Sequence, residues 1–306
     1  MLARHPLDAM PPALLAELEV GGLVPADLYA AVVAAIDEDV PGEDVTSAAT
    51  IPVDARGTAD LAAREPGVVA GLALAELVFR YVLGDAVTVT ERRPDGARVA
   101  AGDLVMRVEG PTRGLLTAER VALNYASHLS GVATATAAWV AALDGTRARV
   151  LDTRKTLPGM RALQKYAVRC GGGVNHRWSL SDVAMVKDNH VVAAGGVVPA
   201  YRAVRERDPD VRVVVEVTEL AELEQLLDVG CPWVLLDNMD PATLRAAVAA
   251  NEARGDGAAV LEASGGLTIE RARAVAETGV DYISVGALTH SVTVFDLGLD
   301  LRDATP

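Results

Sequence analysis

The chain has 306 residues and a formal net charge of −14, and this acidic balance argues against a nucleic-acid-binding protein, since phosphate backbones attract basic surfaces. Apolar residues make up 51% of the chain but aromatic residues only 4%, a mixture typical of α/β proteins with Val-rich strands and Ala-rich helices. Two cysteines, Cys170 and Cys231, are too few for a disulfide framework and suit a reducing compartment. Neither a signal peptide nor a charge-free stretch of about 18 apolar residues is visible, so we expect a soluble, cytoplasmic protein without a membrane span.

The first part of the chain predicts a mixed α+β domain. Residues 25–39 have the apolar spacing of a helix, with Pro25 near its start. A second apolar stretch predicts a helix at residues 72–83. Runs of alternating apolar and polar residues, separated by Pro and Gly, predict strands at 57–64, 87–91 and 104–108. Thr117 is expected to cap a long Ala-rich helix that breaks near Ser130-Gly131 and resumes to Leu143. We therefore place the domain boundary at residues 129–132.

The rest of the chain alternates regularly between short buried strands and helices. The predicted strands are 150–151, 183–186, 213–217, 234–236, 260–261 and 283–285, and the predicted helices are 160–169, 199–207, 220–227, 241–253 and 269–277. This alternation predicts a parallel sheet, as a barrel or a doubly wound fold. Polar residues follow nearly every strand, and only a barrel would bring all of those strand ends to one mouth. The even spread therefore favours a barrel.

Positive charge is concentrated in residues 149–190, which hold eight Arg and Lys against three Asp. All three lysines of the chain, Lys155, Lys165 and Lys187, lie there. Because arginine forks suit carboxylates and lysines act as compact point charges, the cluster predicts a pocket for a ligand with several negative charges. A solvated basic helix face is the alternative.

Two further groups follow the last strands. Ser264-Gly265-Gly266 and Gly286 stand where barrel enzymes commonly hold a phosphate through backbone N–H groups, although ordinary tight turns have the same composition. Glu216 and Asp237 end neighbouring strands. Their carboxylates could hold Mg²⁺, bind sugar hydroxyls or stabilise positive charge, or they could pair with the nearby cations as a structural network.

Long motifs in the same order resemble the quinolinate phosphoribosyltransferase family. They are Asp152-Thr-Arg-Lys-Thr-Leu-Pro-Gly159, Gly171-Gly-Gly173 with Asn175-His176-Arg177, Lys187-Asp-Asn-His190, Glu262-Ala-Ser-Gly-Gly266 and Gly286-Ala-Leu-Thr-His290. Upstream, Glu119-Arg120 and His128-Leu-Ser-Gly131 extend the likeness over nearly the whole chain. Trp178-Ser179, where Leu-Gly is expected, and Thr218, where an acidic residue is common, depart from the pattern.

The resemblance implies an N-terminal α/β sandwich followed by an incomplete, roughly six-stranded parallel α/β barrel. Residues 1–130 would form the sandwich, joined by the C-terminal tail 291–306, and residues 131–290 the barrel. The implied reaction joins quinolinate to phosphoribosyl pyrophosphate with Mg²⁺ and yields nicotinate mononucleotide, pyrophosphate and CO₂, a step of NAD biosynthesis. A homodimer with a shared active site is also implied.

The resemblance also assigns roles to individual residues. Those expected to hold the quinolinate carboxylates are Arg154, His176, Arg177 and Lys187, with Arg120 supplied by a partner subunit. Those expected to meet phosphoribosyl pyrophosphate and its metal are Lys155, Glu216 and Asp237, and its 5′-phosphate would rest on Ser264, Gly265, Gly266 and Gly286. The expected catalytic groups are Lys155, Lys187, Glu216 and Asp237, of which the last two would hold the metal.

Three alternatives remain at this stage: a phosphoribosyltransferase with another acceptor, a barrel aldolase or phosphosugar isomerase with Lys187 as a Schiff base, and a non-catalytic ligand sensor. A single carboxylate or carbonyl would not need so many cations, which argues against the first two. A sensor would not need paired carboxylates opposite the cations.

Overall fold

The computed structural model describes residues 4–305, with side chains through Arg302, and the chain divides into two units. The first unit takes residues up to 135, residues 162–172 and residues from 292 onward, and the second takes residues 136–161 and 173–291. The division differs from the predicted domains in three places: residues 131–135 and 162–172 belong to the first unit, and residue 291 belongs to the second. Residues 1–3 and 306 of the predicted domains lie outside the described residues.

The helices and strands of the first half are, in chain order, α1 (Pro12–Val20), α2 (Pro25–Asp39), α3 (Val45–Thr50), β1 (Arg56–Ala63), β2 (Gly67–Val68), α4 (Leu72–Leu83), β3 (Thr88–Arg92), β4 (Arg98–Val99), β5 (Leu104–Pro111) and α5 (Thr112–Ala142). The second half continues with β6 (Arg149–Leu151), α6 (Arg161–Cys170), β7 (Val183–Val186), α7 (Asp188–Ala194), α8 (Val197–Arg207), β8 (Arg212–Val217), α9 (Leu220–Asp228), β9 (Trp233–Asp237), α10 (Pro241–Glu252), β10 (Val260–Ser264), α11 (Ile269–Ala276), β11 (Tyr282–Ser284), α12 (Ala287–His290) and β12 (Leu297–Thr305).

An antiparallel sheet organises the first unit. Within residues 4–305 it has four strands in the order β12-β1-β5-β3, and β2 pairs with β4 separately. Strand β12 runs beside β1 from Leu297 opposite Ala63 to Thr305 opposite Arg56, so the C-terminal tail is part of this sheet. Helix α4 supplies much of the core, since every position except Arg80 is buried.

The predicted break in the long helix is wrong, because α5 runs without interruption through Ser130-Gly131. Thr117 is likewise inside α5, where its hydroxyl donates to the Arg113 carbonyl at 2.8 Å, so it is not the N-cap. A Cβ on Gly131 would collide with the Thr293 carbonyl oxygen, and Ser130 Oγ bonds both backbone groups of Ala70. The Ser-Gly pair therefore serves close packing rather than helix termination.

The second unit confirms the predicted parallel barrel. Among the described residues its sheet has six parallel strands in the order β6-β11-β10-β9-β8-β7. The two edge strands, β6 and β7, are consecutive in the sequence. A closed barrel would pair those two strands, and the barrel is therefore open between β6 and β7. Val174 covers the free edge of β6: its amide donates to the Val150 carbonyl at 2.8 Å.

Several short elements were not predicted. Helices α1, α3, α7 and α12 and strands β2 and β4 are each too short or too polar to show a clear apolar periodicity. Strand β12 was not predicted either. Between residues 4 and 305 no single helix is long and apolar enough to cross a membrane. Helices α1 and α2 reach that length and composition only as a pair, bent by 108°.

Candidate active site

Two adjoining cavities lie at the carboxyl ends of the parallel strands in the second unit. The first has a volume of about 290 Å³ and the second about 400 Å³. The residues that line both are Thr153, Lys155, Lys187, Ser264 and Ser284. The two cavities thus share two lysines, and a ligand in one would lie beside a ligand in the other.

Two arginines stand together in the first cavity, and the fold brings them there through Asp152. This fully buried carboxylate, directly after β6, accepts from the His176 amide at 2.8 Å and from Asn175 Nδ2 at 2.6 Å. The turn that carries Arg177 is thereby fastened beside Arg154. Burial lowers the pKa of the Arg177 guanidinium, and the charge of Arg154 lowers it further. Two neighbouring guanidinium groups favour a ligand with two negative charges.

The remaining surface of the first cavity is partly apolar. Met185 of β7 and Leu235 of β9 line it, and both belong to a cluster that packs around Val183 and Val214. Arg154 Nε is buried and has no hydrogen-bond partner among the described residues, so this donor remains for a ligand. Apolar contact and paired guanidinium groups together suit a flat aromatic dicarboxylate.

A lysine–carboxylate pair marks the boundary of the second cavity. Lys187 follows β7, and its Nζ forms an ion pair with Glu216 Oε2 on β8. The structural network considered from sequence is thus realised for these two residues. Both nevertheless line the second cavity, as does Asp237 at the end of β9. The pair therefore also sets the charge of this cavity.

A glycine cradle forms the far side of the second cavity. Gly265 has φ +91°, and a Cβ there would lie 2.6 Å from the Asn238 amide nitrogen and 2.9 Å from Asp237 Oδ1. Asn238 itself has the unusual φ of 54°, and its amide donates to the Ser264 carbonyl at 2.8 Å. Only glycine fits this close approach, and it leaves the backbone open to an anion, as a phosphate site requires.

The carboxylates of Glu216 and Asp237 are the residues to consider for a metal. Among residues 4–302, whose side chains the structure describes, no group of three or more His, Cys, Asp or Glu side chains could hold a metal ion. Two carboxylates on neighbouring strands do fit Mg²⁺, which commonly binds one or two protein carboxylates and completes its coordination with substrate phosphates and water.

Nearly all of the predicted site residues line one of the two cavities. Arg120 is the exception: it lies on α5 in the first unit, its side chain is 61% exposed, and its Nη2 is 4.0 Å from Glu119 Oε1. Burial raises the pKa of the Glu119 carboxyl, and the charge of Arg120 opposes this rise.

Some lining residues were not predicted as site residues: Thr153, Met185, Leu235, Ser284 and His290, and also Glu262, which begins one of the quoted motifs but was assigned no role. Met185 and Leu235 lie within apolar strands and have the same pattern as core residues. Thr153 follows Asp152 directly and could have been found from its position after the strand. Ser284, a buried hydroxyl within a strand, also carried a signal.

The fold and the cavities define a class of protein, an α/β-barrel enzyme that handles a phosphorylated substrate. Family models narrow this further: residues 44–130 match the N-terminal domain and residues 132–300 the C-terminal domain of quinolinate phosphoribosyl transferase. The chain belongs to the quinolinate phosphoribosyltransferase family.

Individual relatives agree with this membership. The chain is 51% identical to the carboxylating nicotinate-nucleotide pyrophosphorylase of Mycobacterium leprae, over 87% of this chain and 94% of the relative. It is 38% identical to the probable carboxylating nicotinate-nucleotide pyrophosphorylase of Bacillus subtilis, over 86% and 90% of the two chains. The crystal structure of NadC from Streptococcus pyogenes superposes with a TM-score of 0.85 at 40% identity, covering 92% of this chain and 99% of that one.

Proposed function

We propose that this protein transfers the phosphoribosyl group of phosphoribosyl pyrophosphate to the ring nitrogen of quinolinate and releases pyrophosphate and CO₂. The product would be nicotinate mononucleotide, a precursor of NAD. The observation that carries the proposal is the pair of adjoining cavities, one with two guanidinium groups beside apolar side chains and one with a glycine cradle beside two carboxylates. Family membership supports the same reaction.

Quinolinate occupies the first cavity in this proposal. Arg154 and Arg177 bind its two carboxylates, and Met185 and Leu235 contact the ring. At about 4 Å a guanidinium–carboxylate pair gains up to about 4 kcal/mol at an effective dielectric constant of 20, before desolvation is subtracted. The arginines thus orient the ring nitrogen towards the second cavity.

Phosphoribosyl pyrophosphate occupies the second cavity, with its 5′-phosphate on Ser264, Gly265, Gly266 and Gly286. Glu216 and Asp237 would hold Mg²⁺ together with the pyrophosphate oxygens, and the ion would offset the negative charge of the leaving group. Lys155 and Lys187, which line both cavities, stand between the two substrates.

The electron flow is balanced without an organic cofactor. The bond from the anomeric carbon to pyrophosphate breaks with its electron pair, and the quinolinate nitrogen forms the new bond. The ribose passes through an oxocarbenium-like state that nearby carboxylates stabilise. The carbon–carbon bond to the adjacent carboxylate then breaks, CO₂ leaves, the pyridinium ring accepts the electron pair, and a solvent proton replaces the carboxylate.

The test is an incubation with quinolinate, phosphoribosyl pyrophosphate and Mg²⁺, in which CO₂ and pyrophosphate are measured together. Both should appear in equal amounts. Nicotinate, which lacks the 2-carboxylate, should have a kcat/KM lower by about 10⁴-fold, because it would leave buried cations unpaired. Comparable values for the two acceptors would instead favour a transferase with another acceptor, and no product from either would refute the proposal.

We further propose that the protein is a homodimer and that the partner subunit's Arg120 completes the first cavity. The exposure of Arg120 and the family resemblance support this arrangement. Arg120→Ala and Lys187→Ala should each be nearly inactive, but their co-expression should restore about a quarter of wild-type activity under random pairing, since one site in each mixed dimer is intact. No recovery would contradict a shared site.

The cytoplasm is the compartment we propose. Both cysteines are free thiols, and burial raises the pKa of Cys170 to about 12 and that of Cys231 to about 11. Thiols with so little thiolate suit a reducing compartment and need no partner. Cell fractionation with an antibody against the protein would test this placement.

A further inference from the structure

Glu262 is a carboxylate in a cavity whose other charged lining residues are arginines and lysines. It lies within β10, is fully buried and lines the first cavity. Its Oε2 is 3.1 Å from His176 Nε2 and 3.0 Å from Trp233 Nε1. An indole nitrogen can only donate, so Glu262 Oε2 accepts from Trp233.

The contacts of the His176 ring determine where its proton lies. Its Nδ1 is 2.6 Å from the backbone nitrogen of Arg177, and a backbone N–H can only donate. Nδ1 is therefore the acceptor and carries no proton. The ring proton is then on Nε2, which donates to Glu262 Oε2. Both ring nitrogens are engaged, and the ring is neutral in this arrangement.

We propose that Glu262 is a positioning residue for the quinolinate site: it holds His176 as the neutral Nε2–H tautomer, and His176 in turn holds the backbone of Arg177. His176 would thus act on the substrate through Arg177, rather than as a charged donor to a carboxylate. The inference rests on the proposed function for the identity of the substrate, but the tautomer itself does not depend on it.

The surroundings make this chain of contacts rigid. His176 and Arg177 line the first cavity and also a smaller cavity of about 110 Å³, while Glu262 lines only the first of these two and Trp233 only the smaller one. Trp233 stacks on Tyr282 with ring centroids 5.2 Å apart and lies 5.7 Å from the His176 ring. The four groups Trp233, Glu262, His176 and Arg177 therefore form one wall between two cavities, and a rigid wall presets the guanidinium group.

The unsatisfied atom of Glu262 argues that stability alone does not explain the residue. Its Oε1 is buried and has no hydrogen-bond partner among the described residues. A buried oxygen without a hydrogen-bond partner lowers the stability of the fold, and such an atom is retained where the residue serves a function.

The test combines imidazole ¹⁵N NMR with calorimetry on the full chain. In the wild type, His176 should show an unprotonated Nδ1 and a protonated Nε2. Glu262→Leu, which removes the acceptor for the Nε2 proton, should lose this single-tautomer pattern, weaken quinolinate binding by about 10- to 100-fold, and leave the Kd of phosphoribosyl pyrophosphate within about twofold. Glu224→Leu, an exposed change on α9, is the matched control and should alter neither Kd.

A wild-type His176 with a proton on Nδ1 would overturn the proposal, as would an unchanged quinolinate Kd in Glu262→Leu. If that variant does not fold, Trp233→Phe keeps the stack on Tyr282 and removes one donor to Glu262. It should weaken quinolinate binding by about two- to tenfold, and no change there would count against the proposal. Failure of the proposed function is distinct, because the wild type would then form no nicotinate mononucleotide whatever the tautomer.

Discussion

The two cavities at the barrel mouth share Lys155 and Lys187 but differ in what else they offer to an anion. In the first, side chains provide the charge: Arg154 and Arg177 stand beside the apolar Met185 and Leu235. In the second, Gly265 and Gly266 leave the backbone open to an anion because they lack a side chain. Planar guanidinium forks recognise a flat dicarboxylate by shape, whereas an open backbone accepts a phosphate from several directions. One mouth can therefore keep two anionic substrates apart although both are attracted by the same sign of charge.

The most damaging single change should be at the lysine that both cavities share. Lys187→Met keeps the length of the side chain but removes its charge and leaves Glu216 without its ion pair. We expect kcat to fall by about 10²- to 10³-fold, since a charge aimed at the reacting groups is lost. Arg202→Met, an exposed change on α8, is the control. Activity within tenfold of wild type would contradict a shared role.

A change to the first cavity alone should separate the substrates. Arg154→Ala should raise the KM for quinolinate by about 100-fold, because one carboxylate loses its fork, and leave the KM for phosphoribosyl pyrophosphate within a few-fold. The control is Arg147→Ala, whose exposed side chain pairs with Glu252 and Asp281. An equal rise in both constants would break the distinction between the cavities.

A change in the glycine cradle should affect phosphoribosyl pyrophosphate and not quinolinate. Gly265→Ala places a Cβ at 2.6 Å from the Asn238 nitrogen and strains a positive φ, so we expect a rise of about tenfold in the KM for phosphoribosyl pyrophosphate. Gly255→Ala is a matched control, because Gly255 has φ +57° but open space around its Cβ. It should lose a little stability without any kinetic effect. A selective loss of quinolinate binding in Gly265→Ala would reverse our assignment.

The smallest effect should come from the loop behind Arg177. Burial alone would raise the pKa of the Asp182 carboxyl, but hydrogen bonds from Trp178 and Ser179 lower it to about 2. Because the pKa is lowered, this stabilisation is complete above the ordinary carboxyl pKa and is lost only as the pH falls through about 2. Asp182→Asn should raise the KM for quinolinate about two- to fivefold at every pH from about 5 to 9. An effect of Asp182→Asn on this KM that changes with pH between about 5 and 9 would contradict the assignment of a lowered pKa to Asp182.

The sequence predicted the strands of the barrel and the residues that follow them, because buried strands read as apolar runs that end in polar residues. It did not predict that α5 is continuous: Ser130-Gly131 has the composition of a helix break, and only the approach of Thr293 reveals a packing role. The role of Glu262 was also hidden, since its partners His176 and Trp233 are distant in sequence. Such contacts depend on the register between strands, which composition does not encode.

A crystal structure with quinolinate and an unreactive analogue of phosphoribosyl pyrophosphate would test the assignment of the two cavities most directly. We predict that quinolinate lies in the first cavity, with its carboxylates on Arg154 and Arg177, and that the analogue lies in the second, with its 5′-phosphate on Gly265 and Gly266. Quinolinate bound at the glycine cradle, or the analogue bound between the two arginines, would contradict the account.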